Sequence, residues 1–388
     1  MSLKAQLDGL LGGAAAKGDV PGVVAMVTDR EGAFYEGAFG LRSAGESAPM
    51  TVDTVGLLAS MTKAITSVGV MQLVERGKLD LDTPAAKWQP HLGTVQVLEG
   101  YDDAGKPRTR APKTPVTLRH LLTHTSGFGY EFLNADVAKY EADNKLPGIF
   151  NCDPVTLRQP ILFDPGARWN YGIGIDWAGQ VLEAASGQKL GQYLAEHVLG
   201  PLGMHDTAFV LTPSMRSRLA RVHARVPDGT LVATPMEIPQ PPGFEMGGGG
   251  LYGTVGDYLK FIRMVLNGGN APAGRILKSE TLEEMKRNQL GTMDVPSLKS
   301  IDKTLTNDLV LPPDIPHKWG LAWLINTKPL PTGRPAGALM WAGLTNCYYW
   351  IDPQTGIGGV MFSQILPFAD VKAMPLYYAF EYTVYANR

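Results

Sequence analysis

In Val55-Gly56-Leu57-Leu58-Ala59-Ser60-Met61-Thr62-Lys63 an apolar run leads into a serine, and a lysine follows three residues later. If Ser60 opens a helix, that step places Lys63 on the same face one turn on, with its amine in reach of the serine oxygen. The pair then combines a nucleophile with a proton acceptor. The run from Val55 to Ala59 takes the lysine partly out of water, and burial favours the neutral amine that can serve as a base. The four-residue pattern is weak by itself, because a serine N-cap beside a solvated lysine is spelled the same way. A second copy, Ser300-Ile301-Asp302-Lys303, lies in a polar stretch between Pro296 and Pro312 without apolar periodicity and is read as coincidence.

Outward from Ser60, helical periodicity runs to about Arg76, with Ala64, Ile65, Val68 and Met71 on one side and Gly77 as a stop. Upstream, residues 2 to 16 are helical. The β-rich runs 23 to 28 and 33 to 39 flank Asp29-Arg30-Glu31-Gly32 as a hairpin. Downstream, residues 93 to 116 form a polar surface excursion. Helical patterns then cover 117 to 124, 175 to 186, 189 to 199, 255 to 267 and 278 to 288, with Thr254 to Asp257 as a capping-box variant. Strands are expected at 319 to 326, 346 to 352 and 357 to 364, and a helix from about 367.

Strands at both ends with helices between them predict an α+β fold: an antiparallel β-sheet built from the two ends, flanked by helices, with an inserted, mainly helical domain. The expected division is residues 1–85 with 300–388 for the sheet domain and 86–299 for the helical one, the active site lying in the cleft between them.

The chain has 388 residues, of which 44% are hydrophobic and 19% charged, a folded composition. Its 35 basic and 37 acidic side chains leave a net charge of −2, which offers no general attraction to nucleic acid or anionic lipid. Neither a signal peptide nor an apolar stretch of about 18 residues is seen, so a cytoplasmic location without membrane attachment is expected. Cys152 and Cys347 are far apart and outside any C-x-x-C pair, as expected of free buried thiols.

Several chemistries are disfavoured. His120 and His124 have the spacing of a zinc pair, but Leu121 replaces the glutamate of H-E-x-x-H, so no metal is expected. There is no G-x-S-x-G and no phosphate-binding G-x-x-x-x-G-K-[ST]; Gly247 to Gly250 are read as a turn or a close backbone approach. No cofactor is expected. Two further segments have catalytic promise. Pro165 to Gly174 sets Tyr171 in a glycine-flanked loop before a helix, and Trp341-Ala342-Gly343-Leu344 precedes the strand-like Tyr348 to Ile351.

Taken in order, Ser60-x-x-Lys63, Leu121-Leu122-Thr123-His124-Thr125-Ser126-Gly127, Tyr171 and Trp341-Ala342-Gly343 resemble the family VIII carboxylesterases. These belong to the serine β-lactamase and penicillin-binding-protein superfamily and are most akin to class C β-lactamases. The resemblance runs from about residue 15 to the C-terminus. It implies a β-lactamase/transpeptidase-like fold and assigns roles by position. Ser60 is the acylated nucleophile, Lys63 its proton-accepting or pKa-lowering neighbour and Tyr171 the tyrosine that exchanges a proton with the serine, the leaving group and water, with the choice of base between Lys63 and Tyr171 left open. Trp341, Ala342 and Gly343 are the substrate-binding W-x-G that stands where β-lactamases carry K-T-G. The N–H groups of Ser60 and Leu344 are the oxyanion hole, two fixed donors for the charge of a tetrahedral intermediate.

Two departures bear on substrate. Trp341 replaces the lysine of K-T-G, and Thr332-Gly333 does not restore it. Ile173 stands where the pattern has an asparagine two residues after the tyrosine. A less polar cleft suits a neutral ester better than an anionic lactam, whose carboxylate would be poorly paired. The resemblance therefore implies a serine carboxylesterase that takes a small-molecule ester with a short acyl chain through an acyl-enzyme on Ser60. An acyltransferase of the same superfamily is the alternative, followed by a weak β-lactamase or D-Ala-D-Ala peptidase. Retention of Ser60, Lys63 and Tyr171 argues against a non-catalytic binding protein, and no feature specifies an oligomeric state.

Overall fold

Asp29 nucleates the first hairpin, its carboxylate accepting the N–H groups of Glu31 and Gly32. It joins Gly22–Thr28 (β1) to Ala33–Gly40 (β2), and these follow the N-terminal helix Leu3–Ala16 (α1), which Ser2 caps. Five more strands come from the far end of the chain: His317–Trp319 (β3), Leu324–Asn326 (β4), Leu339–Gly343 (β5), Cys347–Asp352 (β6) and Ile357–Phe362 (β7). The order is β3-β4-β5-β6-β7-β1-β2 with every pairing antiparallel, and Met26 of β1 lies opposite Val360 of β7. The two ends of the chain thus form one sheet, as the α+β expectation requires. The computed structural model describes residues 1–388.

Both faces of the sheet are covered, so β1, β6 and β7 are buried along their whole length and show no polar alternation. On one face, Leu7 and Leu11 of α1 and Tyr377 and Phe380 of the C-terminal helix Ala373–Ala386 pack with Val23, Ala25 and Trp350. The other face carries the helix Val255–Leu266 (α4), and beyond it Thr62–Glu75 (α2) and Gly174–Ser186 (α3) pack against each other. One contiguous core runs from Val24 and Val360 through Phe261 to Ile65 and Val181. Within that core α4, from the 86–299 span, packs on β1 and β7 of the sheet. No helix is long and apolar enough to cross a membrane.

Local departures have local causes. The run 319 to 326 divides into β3 and β4 because the chain turns at Gly320, whose N–H bonds the Trp323 carbonyl. The 93 to 116 excursion contains a hairpin of Val97–Tyr101 with Pro107–Arg110, anchored where Arg110 bonds both oxygens of Asp164. The last helix starts at Ala373 rather than 367, where Asp370 accepts the Lys372 and Ala373 N–H groups. Thr254 caps α4 through the Asp257 N–H, but the Asp257 carboxylate turns to Asp206 and Thr207 rather than back to its own cap. Cys152 and Cys347 are free and buried, as expected.

Beneath the C-terminal helix, Arg334 and Glu381 form an ion pair at 3.0 Å with both side chains 0% exposed. Arg334→Ala would leave a carboxylate buried without its counter-charge, at a cost of about 3–5 kcal/mol. Urea titration is expected to show that loss, and a smaller one for the paired apolar replacement Arg334→Met with Glu381→Leu.

Candidate active site

Ser60 does not open the helix itself. Ala59–Met61 form a tight 3-10 turn, and α2 begins at Thr62. Ala59 has φ +46°, an unfavourable conformation for a residue with a Cβ. Contacts from elsewhere in the fold hold this turn: the Leu58 N–H bonds the Leu251 carbonyl, and the Tyr258 hydroxyl donates to the Met61 carbonyl. The serine is thereby presented half-buried at a cavity wall. The three-residue step survives this change, and the Lys63 amine donates to Ser60 Oγ at 3.2 Å.

Lys63 is 0% exposed. Besides the serine, its amine reaches the Tyr130 hydroxyl at 2.9 Å and the Gly248 carbonyl at 2.7 Å. It also lies over the rings of Tyr171 and Tyr130, 4.6 and 5.2 Å from their centroids. The glycine run is more than a turn. The Gly248 N–H donates to Asp176 Oδ1 at 2.8 Å, and a Cβ on Gly248 would come within 2.4 Å of Asp176 Oδ2, so only glycine lets this backbone approach so closely. Asp176, in the first turn of α3, is fully buried. Burial pushes its carboxyl up to about 6, against the opposing pull of Lys63 and of the Gly248 N–H.

Tyr171 is placed differently from the sequence expectation. Its ring borders Lys63, but its hydroxyl accepts from the Trp341 indole N–H at 3.0 Å rather than bonding Ser60 or Lys63. The tyrosine hydroxyl on Lys63 is that of Tyr130, which sequence reasoning missed. Its one signal was position, three residues beyond Gly127 at the end of the Leu121–Gly127 segment. Trp341 is held by Trp319, edge-on at 4.7 Å, and Trp319 also packs edge-on against His124 at 5.0 Å. Neither ring nitrogen of His124 has a partner, and burial holds its pKa well below the usual histidine value, leaving a neutral ring. His120 instead caps its own helix through the Thr117 N–H.

Along β5 the W-x-G residues divide by face. Trp341 points toward Tyr171, whereas Ala342 packs in the α1 core on the opposite side. Gly343 runs past the Ser60 turn so closely that a Cβ would lie 2.3 Å from the Leu58 carbonyl oxygen. β4 pairs with β5 only at Leu339 and Met340, so the stretch Trp341–Gly343 has no strand beside it on that side. Leu344 follows in the turn to β6, and its N–H donates to no other backbone group. Ile173 is buried in the core. The second serine–lysine pair has no such setting: Ser300 Oγ donates to the Asp302 carbonyl and Lys303 pairs with Asp308 at the surface.

Ser60, Tyr130, Tyr171, Trp341 and Leu344 all line one cavity of about 560 Å³, and 25 of its 35 lining residues are hydrophobic. It passes the open edge of β5 and extends along Leu309–Pro312 to Tyr378 and Tyr382 on the C-terminal helix. That volume is in the range of pockets that enclose an organic molecule of moderate size.

An antiparallel sheet between helical layers, with a serine, a buried lysine and tyrosines gathered at its edge, defines an enzyme of the serine β-lactamase and penicillin-binding-protein superfamily. The chain belongs to the Beta-lactamase family, which residues 7–382 match. It is 34% identical over 384 residues to the monacolin J acid methylbutanoyltransferase of Aspergillus terreus, covering 95% of this chain and 92% of that one. It is 31% identical to the lovastatin esterase of Penicillium rubens, covering 88% of each. A variant of the simvastatin synthase from Aspergillus terreus superposes with a TM-score of 0.88 at 32% identity, covering 99% of this chain and 95% of that chain. Relatives of both kinds, acyltransferase and esterase, therefore share this fold.

Proposed function

We propose that the chain is a serine acyltransferase, which takes an acyl group from an ester-type donor onto Ser60 and passes it to an alcohol on a bulky apolar acceptor. Ester hydrolysis, the first reading of the sequence, becomes the side reaction. The observation that carries this is the large, mostly apolar cavity around Ser60. An acyl-enzyme deacylates toward whichever nucleophile is held against it, and a bound, aligned alcohol gains an effective concentration of about 10⁵ M or more. Apolar walls favour such an acceptor and disfavour water. The kinship with the methylbutanoyltransferase supports the same choice and suits a short acyl group.

In the first half-reaction Ser60 Oγ gives its proton to the Lys63 amine and bonds the donor carbonyl carbon. The N–H groups of Ser60 and Leu344 take the negative oxygen. Tyr171 accepts from Trp341, so its own proton is free for the leaving group as the donor's alcohol or thiol departs. The second half-reaction runs in reverse with the acceptor hydroxyl, or water, in the leaving group's place. Trp341 in place of the K-T-G lysine leaves a lactam carboxylate without a cation, and β-lactam turnover is expected to be slow.

Product analysis tests this. With a short-chain aryl ester or thioester and a series of alcohols of increasing apolar bulk, the transferred ester should exceed the free acid at millimolar acceptor for the bulkier members. Free acid alone across the series would return the assignment to a carboxylesterase.

A further inference from the structure

We propose that Gln364 is a positioning residue that fixes the gap between the Ser60 and Leu344 N–H groups, by tying the turn that carries one to the turn that carries the other. The inference rests on the acyl-enzyme reading above and concerns how its two oxyanion donors are held at one spacing.

The two donors belong to different sheets. Ser60 follows the strand Val55–Leu57, which pairs with Tyr252–Thr254 in a separate two-stranded sheet, whereas Leu344 follows β5 of the seven-stranded one. No strand pairing joins the two. An oxyanion is stabilised only where both donors reach the same point at about 2.7–3.1 Å. Their spacing therefore has to come from side-chain contacts between the sheets.

Gln364, two residues beyond the end of β7, supplies those contacts and is 1% exposed. Its Oε1 accepts the Leu57 N–H at 2.9 Å, and its Nε2 donates to the Leu57 carbonyl at 3.1 Å. One side-chain amide thus takes both main-chain groups of Leu57, as a residue of a neighbouring strand would. The same Nε2 lies 3.2 Å from Thr345 Oγ1, and that hydroxyl donates to the Leu57 carbonyl at 2.9 Å. Leu57 stands three residues before Ser60, and Thr345 is the residue after Leu344, so this one amide spans the two turns. Gly56 makes the approach possible, since a Cβ there would come within 2.8 Å of the Gln364 amide.

Backbone strain marks the same place. Ala59 (φ +46°), Asn346 (φ +56°) and Gln364 (φ +55°) all hold the left-handed conformation without being glycine. Residues with a Cβ persist there only where surrounding contacts impose it. Asn346 returns the clasp, its amide donating to the Ile365 and Pro367 carbonyls at 2.8 and 2.9 Å. Gln364 itself lies behind the cavity wall rather than in it, so it acts through Leu57 and Thr345 and not on substrate.

The test compares an aryl ester with its thiono analogue, in which C=S replaces C=O. Sulfur is larger and a weak hydrogen-bond acceptor, so two well-placed donors favour the oxygen compound. The ratio of the two kcat/KM values does not depend on how much of the enzyme is folded. Gln364→Met keeps the side chain's length but has no amide. Its kcat/KM for the oxygen ester is expected to fall about 10- to 10²-fold, short of the loss of a whole donor, and the oxygen-to-sulfur ratio to fall by about 10-fold. An unchanged ratio overturns the inference whatever the absolute loss, because a merely structural role lowers both rates together. If Gln364→Met does not fold, Thr345→Val decides, since it deletes only the hydroxyl between Leu57 and Gln364. A ratio lowered by about 3-fold or more supports the clasp, and the wild-type ratio overturns it. A wild type that forms a Ser60 acyl adduct yet treats both esters alike overturns it too. Absence of any acyl adduct on wild-type Ser60 by mass spectrometry would end the acyl-enzyme reading itself, and the inference with it.

Discussion

Ser60→Ala is expected to lose acyl transfer from an aryl ester by about 10⁵-fold or more, with folding intact, because no other serine or threonine hydroxyl in the cavity is bonded to the buried amine, whose second hydroxyl partner is the phenol of Tyr130. The alanine fits a turn that bonds from the Leu58 N–H and the Tyr258 hydroxyl already hold, so thermal unfolding should be nearly unchanged. What rate survives would come from binding and from the two N–H groups proposed above as oxyanion donors, which need no serine oxygen. Turnover near that of the wild type would place the chemistry on another group and end the assignment of Ser60.

Lys63→Met is expected to have the next largest effect, a loss of about 10³–10⁴-fold in acylation, because the variant keeps the side chain's length and apolar fit but has no nitrogen to take the proton. It has a second signature. Lys63 opposes the effect of burial on Asp176, so removing it moves that carboxyl's pKa above about 6. An acid whose pKa is higher folded than unfolded binds more protons in the native state, and its contribution to stability falls as pH rises between the two values. In Lys63→Met that fall extends to higher pH. The gap in melting temperature between wild type and variant should therefore widen from pH 5 to pH 8, and a gap independent of pH would show that the two side chains are not coupled.

Comparison with the relatives changes how the cavity is understood. The cavity wall is largely apolar and includes Trp341 but not Ile173, which is buried in the core; under the acyltransferase reading proposed above, such walls hold an apolar acceptor where water would otherwise react. The structure adds a reason why the tryptophan matters beyond contact with substrate: its indole N–H occupies an acceptor site on Tyr171 and leaves the phenol proton available. The lysine of K-T-G would bring a charge to that position, and the phenol would be oriented differently.

What could be read directly from the chain was whatever depends on short separations. The step from Ser60 to Lys63 holds whether the turn is 3-10 or α-helical, because both wind the chain back over itself within three or four residues. The β1–β2 hairpin follows from an aspartate at a turn, and the strands at both ends with helices between them determined the α+β class. Tyr130 and Gly248 meet Lys63, and Asp176 meets Gly248, only by tertiary packing. Tyr130, Asp176 and Gly248 are 67, 113 and 185 residues from Lys63 (130 − 63, 176 − 63 and 248 − 63), and no local pattern specifies which of 14 tyrosines or 45 glycines will arrive there. The sequence by itself determined the serine–lysine pair and the layers that carry it; the fold decided which hydroxyl the amine touches, which backbone carbonyl it meets and how much apolar space surrounds it, because burial brings those groups together from segments that share no periodicity.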